Sequence, residues 1–333
     1  MNIALVTPYA EYPGGVETVN RLLSQIFVDA GHTVQLITAD NGEGELHLIS
    51  SKLIGLPAIT AKRFNRRANE FDVVIANGEF SWGLHHPRII NLFHGCYKGY
   101  RDYLRPVLNT LQYINCTRLA WLQKMAAREK TLVCVSEFIK GILENDGCRV
   151  SAVISNCVDT VHFSPPEVPT RNGKYLFVGS YNRYGKGFDI LEGLANRGLD
   201  IDCITNANPG NLLNWLPGRE NSQMVDIYRS YSTLIFPSRF EGMPMVPLEA
   251  MACGMPILTS NVGLGPELKK HIPEFVIEGD GSDKIEKYSE KLSHILKHYD
   301  VYSRKARDYV LKFHSYEEYK KKWLALLTEV KNA

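Results

Sequence analysis

Seven residues separate Glu241 from Glu249 in the segment Ser238-Arg-Phe-Glu-Gly-Met-Pro-Met-Val-Pro-Leu-Glu-Ala-Met-Ala-Cys-Gly-Met-Pro256. A carboxylate accepts bidentate hydrogen bonds, which suits neighbouring hydroxyls of a sugar or a ribose. Between the two, Met243 to Val246 open a predicted helix. The unpaired N–H groups and positive end of a helix attract phosphate or sugar oxygens. Spacing alone leaves a second reading open, in which one glutamate lies on the surface and the other favours the start of a helix.

The elements that must position these residues come in two series. Ile3–Thr7, Thr33–Thr38, Val73–Ala76, Ile89–Phe93 and Leu132–Val135 read as strands, and Val16–Ala30 reads as a helix that stops at Gly31. The second series places strands at Lys174–Gly179, Ile201–Thr205, Thr233–Pro237 and Pro256–Thr259, with helices at Phe188–Asn196 and Val246–Ala252. Such alternation predicts parallel, doubly wound sheets, with ligands at the carboxyl ends of the strands. Asn156–Pro169, rich in Pro, Asp and Ser, reads as the linker. Helical patterns fill 283–330.

The 333 residues are comfortable for two domains, and 44% hydrophobic with 22% charged residues describes a globular protein with cores. No apolar run reaches the roughly 18 residues of a membrane span. The first eight residues read as a buried strand and not as a signal peptide. Seven scattered cysteines, never in a C-x-x-C pair, fit reduced thiols in the cytoplasm. The net charge of +2 is unevenly spread. Residues 46–130 hold thirteen Lys/Arg against five Asp/Glu, a balance of +8, which points to an anionic partner or to a solvated basic face. Lys62, Arg63, Arg66 and Arg67 would share one face if 57–69 is helical. Arg118, Lys124, Arg128 and Lys130 would line a second helix, in which Trp121, Leu122 and Met125 read as core or as a membrane-facing stripe, core being the first choice.

The segment from Ser238 to Pro256 resembles the signature of glycosyltransferase family four, the retaining enzymes of GT-B fold. Other landmarks stand in family order: Gly14-Gly15-Val16-Glu17, Ala30-Gly31-His32-Thr33-Val34, Val135-Ser136, Asn156-Cys157-Val158-Asp159 and Lys186-Gly187. The resemblance covers nearly the whole chain. It implies two Rossmann-like domains facing each other across a cleft. Residues 1–160 would bind the acceptor and 161–312 the nucleotide-sugar. Residues 313–333 would form a last helix packing back on the first domain.

Carried over position by position, the resemblance gives Glu241 to hydroxyls of the donor sugar and Glu249 to the ribose. Met243, Met245 and Val246 would offer amides to the phosphates or the sugar. Lys186 would neutralise the diphosphate, and Gly15 would let the backbone approach it. A lone His after a strand is more often structural, but the family context aligns His94, in Phe93-His94-Gly95, with the active-site His. Departures stand beside the matches. Ser180 occupies the place of a usual Arg, and Arg183, three residues on, could reach the same phosphates. Cys157 replaces a usual Gly, and Ile75 and Asn77 stand where the family often has His.

The implied activity is retaining, metal-independent transfer from a nucleotide-sugar, a UDP-sugar first, to a glycan or lipid-linked acceptor. Bacterial surface polysaccharide or lipopolysaccharide assembly is the implied setting, in the cytoplasm or on the inner face of the membrane. No cofactor is expected. Asp200-Ile-Asp202 has the D-x-D form of a metal site, but alternation at the start of an apolar strand reads better. No Walker loop, H-E-x-x-H, G-x-S-x-G or full Rossmann fingerprint occurs, and no nucleic-acid module is recognisable. The alternatives are a sugar-nucleotide epimerase or hydrolase on the same fold, and a non-catalytic binding module.

Overall fold

The computed structural model describes residues 1–8, 15–39, 55–167, 171–279 and 283–332. The chain forms two compact units, one of Met1–Ser155 with Lys320–Ala333 and the other of Asn156–Tyr319. The change of unit falls just before Asn156 of the expected linker, and the chain returns to the first unit partway through its last helix.

In the first unit, strands β1 (Asn2–Val6), β2 (Thr33–Ile37), β3 (Val73–Asn77), β4 (Ile89–Phe93), β5 (Thr131–Cys134) and β6 (Ala152–Val153) form a parallel sheet in the order β2-β1-β3-β4-β5-β6. Helices α1 (Gly15–Asp29), α2 (Leu56–Asn65), α3 (Tyr97–Tyr103), α4 (Thr110–Ala126) and α5 (Glu137–Asn145) accompany it. β3 and β4 are buried along their whole length, as strands covered on both faces must be. α1 buries Val19, Leu23, Ile26 and Phe27 on one stripe. It ends where Gly31 adopts φ +79°, a conformation that costs glycine little.

The second unit holds β7 (Tyr175–Val178), β8 (Ile201–Thr205), β9 (Asn214–Pro217), β10 (Thr233–Phe236), β11 (Ile257–Ser260) and β12 (Val276–Ile277), paired in parallel as β12-β11-β10-β7-β8-β9. Its helices are α6 (Phe188–Ala195), α7 (Asn221–Ser230), α8 (Met245–Ala252), α9 (Gly265–Lys269), α10 (Lys284–Lys297) and α11 (Tyr299–Phe313). The last helix, α12 (Tyr316–Asn332), carries the chain back, and its Trp323 is fully buried with its ring edge-on to Phe27 of α1.

The structure adds β6, β9 and β12 to the strands expected from sequence. β6 and β12 are two residues long, and β9 is a largely exposed edge strand, so none shows a run of apolar residues. Each sheet reverses its winding once, between β1 and β3 in one unit and between β7 and β10 in the other. Open α/β sheets bind ligands at such a switch point, outside the carboxyl ends of the strands.

Candidate active site

At the β7/β10 switch point, the loop after β7 carries Lys186 and the loop after β10 carries Glu241. Lys186 Nζ lies 2.6 Å from Glu241 Oε1, and the two side chains are only 23% and 14% exposed. The ammonium also lies 5.6 Å from the centroid of the Phe236 ring. The pair is held from several sides. Asn182 accepts from the Gly185 amide at 2.9 Å through its side chain, and from the Lys186 amide at 2.9 Å through its carbonyl. Gly187, at φ +70°, lies so close to Pro237 that a Cβ would sit 2.3 Å from the Pro237 oxygen. Behind Glu241, a Cβ on Gly263 would come within 2.8 Å of the Glu241 Cβ.

Arg239 ties the two loops together. Its amide donates to Gly185 O at 2.8 Å, and its guanidinium donates to Tyr184 O at 2.7 Å and forms two bonds to the Asp189 carboxylate at 2.7 and 2.6 Å. Planar two-point recognition of this kind fixes orientation as well as charge. Sequence reasoning passed over Arg239, although it stands two residues before Glu241.

α8 begins at Met245, one residue before the start expected from sequence, and Met243 of the expected amide run precedes the helix. Proline at 244 and 247 removes two donors, which leaves Met245 and Val246 with N–H groups that have no acceptor inside the helix. Asn156 of the linker donates from Nδ2 to Met243 O at 3.2 Å, which fixes the approach to that helix end.

Glu249, on the first turn and a half of α8, accepts a 2.8 Å hydrogen bond from the Tyr228 hydroxyl. Burial raises the Glu249 carboxyl above its usual range, and the Tyr228 bond offsets this in part. Tyr228 is itself 1% exposed. Its partnership spans 21 residues and has no sequence signal. Glu249→Ala should weaken nucleotide binding by about 1.5–3 kcal/mol, the usual worth of a bond to a charged group. Glu249→Gln should lose less. The raised pKa means that the folded chain holds the Glu249 proton to higher pH than the unfolded chain, so this group's contribution to stability falls as pH rises. In the absence of nucleotide, Glu249→Gln should therefore melt above wild type at pH 8. Calorimetric titration and thermal melts check the two halves.

Ser180 is exposed, and Arg183 is bound to Glu192 of α6 at 2.6 Å. Asp202 of the D-x-D element is 6% exposed. Its oxygens accept from Asn214 at 2.9 Å and Tyr231 at 2.6 Å and face Lys174 at 3.4 Å. This cluster lies at the amino end of β8, away from the switch-point loops.

In the first unit, the carboxyl ends of β1, β3 and β4 bring together Thr7, Asn77 and His94. His94 Nε2 lies 3.1 Å from Asn77 Oδ1. Asn77 Nδ2 donates to Thr7 Oγ1 at 3.1 Å and to Asn20 Oδ1 at 3.2 Å, and Asn20 Nδ2 donates to Thr7 Oγ1 at 3.1 Å. Both amide hydrogens of Asn77 are thus engaged and its oxygen is left for the ring. His94 must then carry its proton on Nε2, with the lone pair on Nδ1. Burial lowers the His94 pKa to about 4, so the ring is neutral at pH 7. Nearby, Glu79 accepts from Gln123 Nε2 at 2.9 Å, and burial raises its pKa. Gly14 lies outside the described residues, and Gly15 is the first residue of α1.

The helix expected over 57–69 is shorter than that range. α2 stops at Asn65, Arg63 donates to Thr38 O at 2.8 Å, and Arg67 pairs with Glu70 at 2.6 Å. Lys62 and Arg66 are exposed. On α4, Leu122 is buried as expected but Trp121 is 60% exposed, and Arg128 and Lys130 follow the end of the helix.

Known proteins share this fold. Across 99% of this chain and 98% of the other, the sucrose-phosphate synthase from Thermosynechococcus elongatus superposes with a TM-score of 0.79 at 16% identity. HepE from Anabaena, solved with UDP and glucose, superposes with a TM-score of 0.70 at 13% identity, over 99% and 100% of the two chains. The fold is therefore GT-B. The model described as "Glycosyltransferase Family 4" matches residues 13–162, and that described as "Glycosyl transferases group 1" matches residues 201–309. The chain belongs to glycosyltransferase family 4. An uncharacterized glycosyltransferase of Methanocaldococcus jannaschii is 31% identical over 165 residues, 44% of this chain and 43% of the relative. The lipopolysaccharide core biosynthesis mannosyltransferase LpsB of Rhizobium meliloti is 41% identical over 49 residues, 15% of this chain and 14% of the relative. These matches span less than half the length of either curated relative.

Proposed function

We propose that this protein transfers a hexosyl group from a nucleoside diphosphate sugar, a UDP-sugar first, to an acceptor hydroxyl with retention at the anomeric carbon. The observation that carries the reading is the 2.6 Å Lys186–Glu241 pair at the β7/β10 switch point, where one loop supplies a cation for a diphosphate and the other an acceptor for sugar hydroxyls. In the reaction the bond from the anomeric carbon to the diphosphate oxygen breaks, and the acceptor oxygen bonds to the same face. The acceptor proton passes to the departing diphosphate. Lys186 and the Met245 and Val246 amides stabilise the charge that grows on that leaving group. Glu249 holds the ribose, and His94, a neutral ring at pH 7, is the histidine that the family pattern assigns to the reaction.

UDP is favoured because a neighbour of the same fold was solved with UDP and glucose. The lipopolysaccharide relative favours a cell-surface glycan or lipid-linked acceptor reached from the cytoplasmic face of a membrane. A thermal-shift panel of UDP, GDP, ADP and their sugars tests the donor. A ligand at 100 times its dissociation constant should add about 2.7 kcal/mol. No response to any of them would sink the reading. Free sugar or an epimer released from the donor without acceptor would instead favour a hydrolase or epimerase.

Turnover should survive EDTA, because Lys186 and helix amides meet the charge that a cation would otherwise meet. Asp202 is already committed to Asn214 and Tyr231. Loss of turnover on chelation, restored by Mn²⁺ and abolished by Asp202→Ala, would reverse this.

A further inference from the structure

The hairpin of α3, a 3-10 turn at Arg105–Val107 and α4 leaves large apolar side chains in solvent. Tyr100 is 37% exposed, Tyr103 42%, Val107 49%, Leu111 79%, Ile114 58% and Trp121 60%, all within 22 positions. Leu111, Ile114, Arg118 and Trp121 follow one another at steps of three, four and three, so they share one face of α4. On other faces Cys116, Gln123 and Ala126 are buried. The charges are as one-sided as the exposure. From Tyr103 to Arg128 there is no Asp or Glu, where the chain average of 36 in 333 would place about three, and the same stretch carries Arg105, Arg118, Lys124 and Arg128. A helix on a solvated surface normally mixes both signs of charge on its outer face.

We propose that this hairpin is the surface by which the protein lies on an anionic lipid bilayer. Leu111, Ile114 and Trp121 enter the boundary between headgroups and acyl chains, while Arg105 and Arg118 meet lipid phosphates. The hairpin's one carboxylate, Asp102, is paired with Lys98 at 2.9 Å and Arg101 at 2.7 Å. Apolar and aromatic side chains ringed by Arg match that boundary in both polarity and charge. A second copy of the chain is a poorer occupant. A twofold contact sets like against like, and Arg118 stands in the middle of the stripe. The assignment refines the membrane setting proposed above, but it stands on the hairpin's own geometry and not on the donor chemistry.

The test uses the full chain with vesicles of phosphatidylcholine alone or with one-third phosphatidylglycerol. Sedimentation should show binding to the anionic vesicles only. Tryptophan emission should shift to the blue on binding and be quenched by brominated acyl chains, and Trp121→Phe should remove most of that signal. The combined variant Leu111→Gln, Ile114→Gln, Trp121→Gln should bind at least tenfold more weakly, as should Arg105→Glu with Arg118→Glu. Lys62→Glu with Arg66→Glu should bind like wild type. Circular dichroism and the thermal shift with UDP should be unchanged in all of them, which separates loss of docking from loss of fold. Equal sedimentation of wild type and the triple variant would overturn the proposal. So would a wild-type dimer that the triple variant makes monomeric, since the face would then belong to self-association. Vesicle binding with no nucleotide response would support the docking surface and sink the sugar-transfer reading.

Discussion

Lys186→Ala should lower kcat for sugar transfer by about 10²–10³-fold, roughly 3–4 kcal/mol of transition-state stabilisation, with a much smaller change in the donor KM. The asymmetry follows from when the charge appears. The leaving diphosphate gains its extra negative charge only as the glycosidic bond breaks, so a cation beside it acts more on the transition state than on the bound donor. The same substitution removes the 2.6 Å partner of Glu241, whose side chain is 14% exposed. A carboxylate left alone at such a site costs roughly 1–3 kcal/mol of stability. Combining Lys186→Ala with Glu241→Gln removes that orphaned charge, so the double variant should recover stability in urea melts while its kcat stays low. A double variant that regains kcat would show that the single variant was merely misfolded, and would end the charge-stabilising role for Lys186.

The second large effect concerns pH. With the His94 imidazole held neutral down to about pH 4, the acid limb of kcat/KM assigned to this ring should have its midpoint near 4. Asn77→Asp puts a carboxylate 3.1 Å from Nε2 in place of a neutral amide oxygen. That should move the limb upward by about 1–3 pH units, because a nearby negative charge favours the imidazolium. A limb that stays near pH 4 in Asn77→Asp would remove His94 from the rate equation.

The same ring sets a stability trend whose sign is fixed. The folded pKa of about 4 lies below the ordinary 6.5, so between those values the unfolded chain binds the extra proton. This contribution is complete above pH 6.5, falls as pH drops towards 4 and levels off below it. Its ceiling is about 3 kcal/mol at 1.36 kcal/mol per pH unit, reduced by the ring's partial exposure. Urea melts of His94→Gln at pH 7 and pH 4.5 should show a smaller loss than wild type. Equal losses would assign the acid sensitivity to other groups.

What the sequence disclosed was whatever is local along the chain. The Glu241–Glu249 spacing and the amides at the start of α8 lie within one short segment, and Lys186-Gly187 is a short motif of its own, so motif reading found each; the contact of Lys186 with Glu241 across 55 residues it could not show. Their supports are not. Tyr228 meets Glu249 across 21 residues, Arg239 meets Asp189 across 50, and Asn77 meets Asn20 across 57. Such pairs exist only because the fold packs distant helices and loops against one another, and no periodicity in the chain announces them. The extent of the basic helix is overestimated from sequence for a related reason. Helical spacing places Lys62, Arg63, Arg66 and Arg67 together only while the helix lasts, and it ends at Asn65. From sequence Trp121 reads as core first and as a membrane-facing residue second, because apolar residues are usually core. The structure leaves it exposed because α4 is apolar on more than the face it buries.

The passage of α12 from one unit into the other has a consequence for synthesis. Trp323, 0% exposed against Phe27, with Leu327 and Val330 also buried, completes a core whose other parts were translated far earlier. Residues up to Ser155 leave the ribosome about 165 positions before Lys320 does. At roughly 5–20 residues per second, that half-built unit waits on the order of 8–33 s with its Trp323 site unfilled. The second unit is contiguous from Asn156 to Tyr319 and needs no such wait. The order of assembly is therefore the reverse of the order of synthesis: the unit made first is finished last. During that interval the open site beside Phe27 is an apolar surface on which a chaperone of the nascent chain could act.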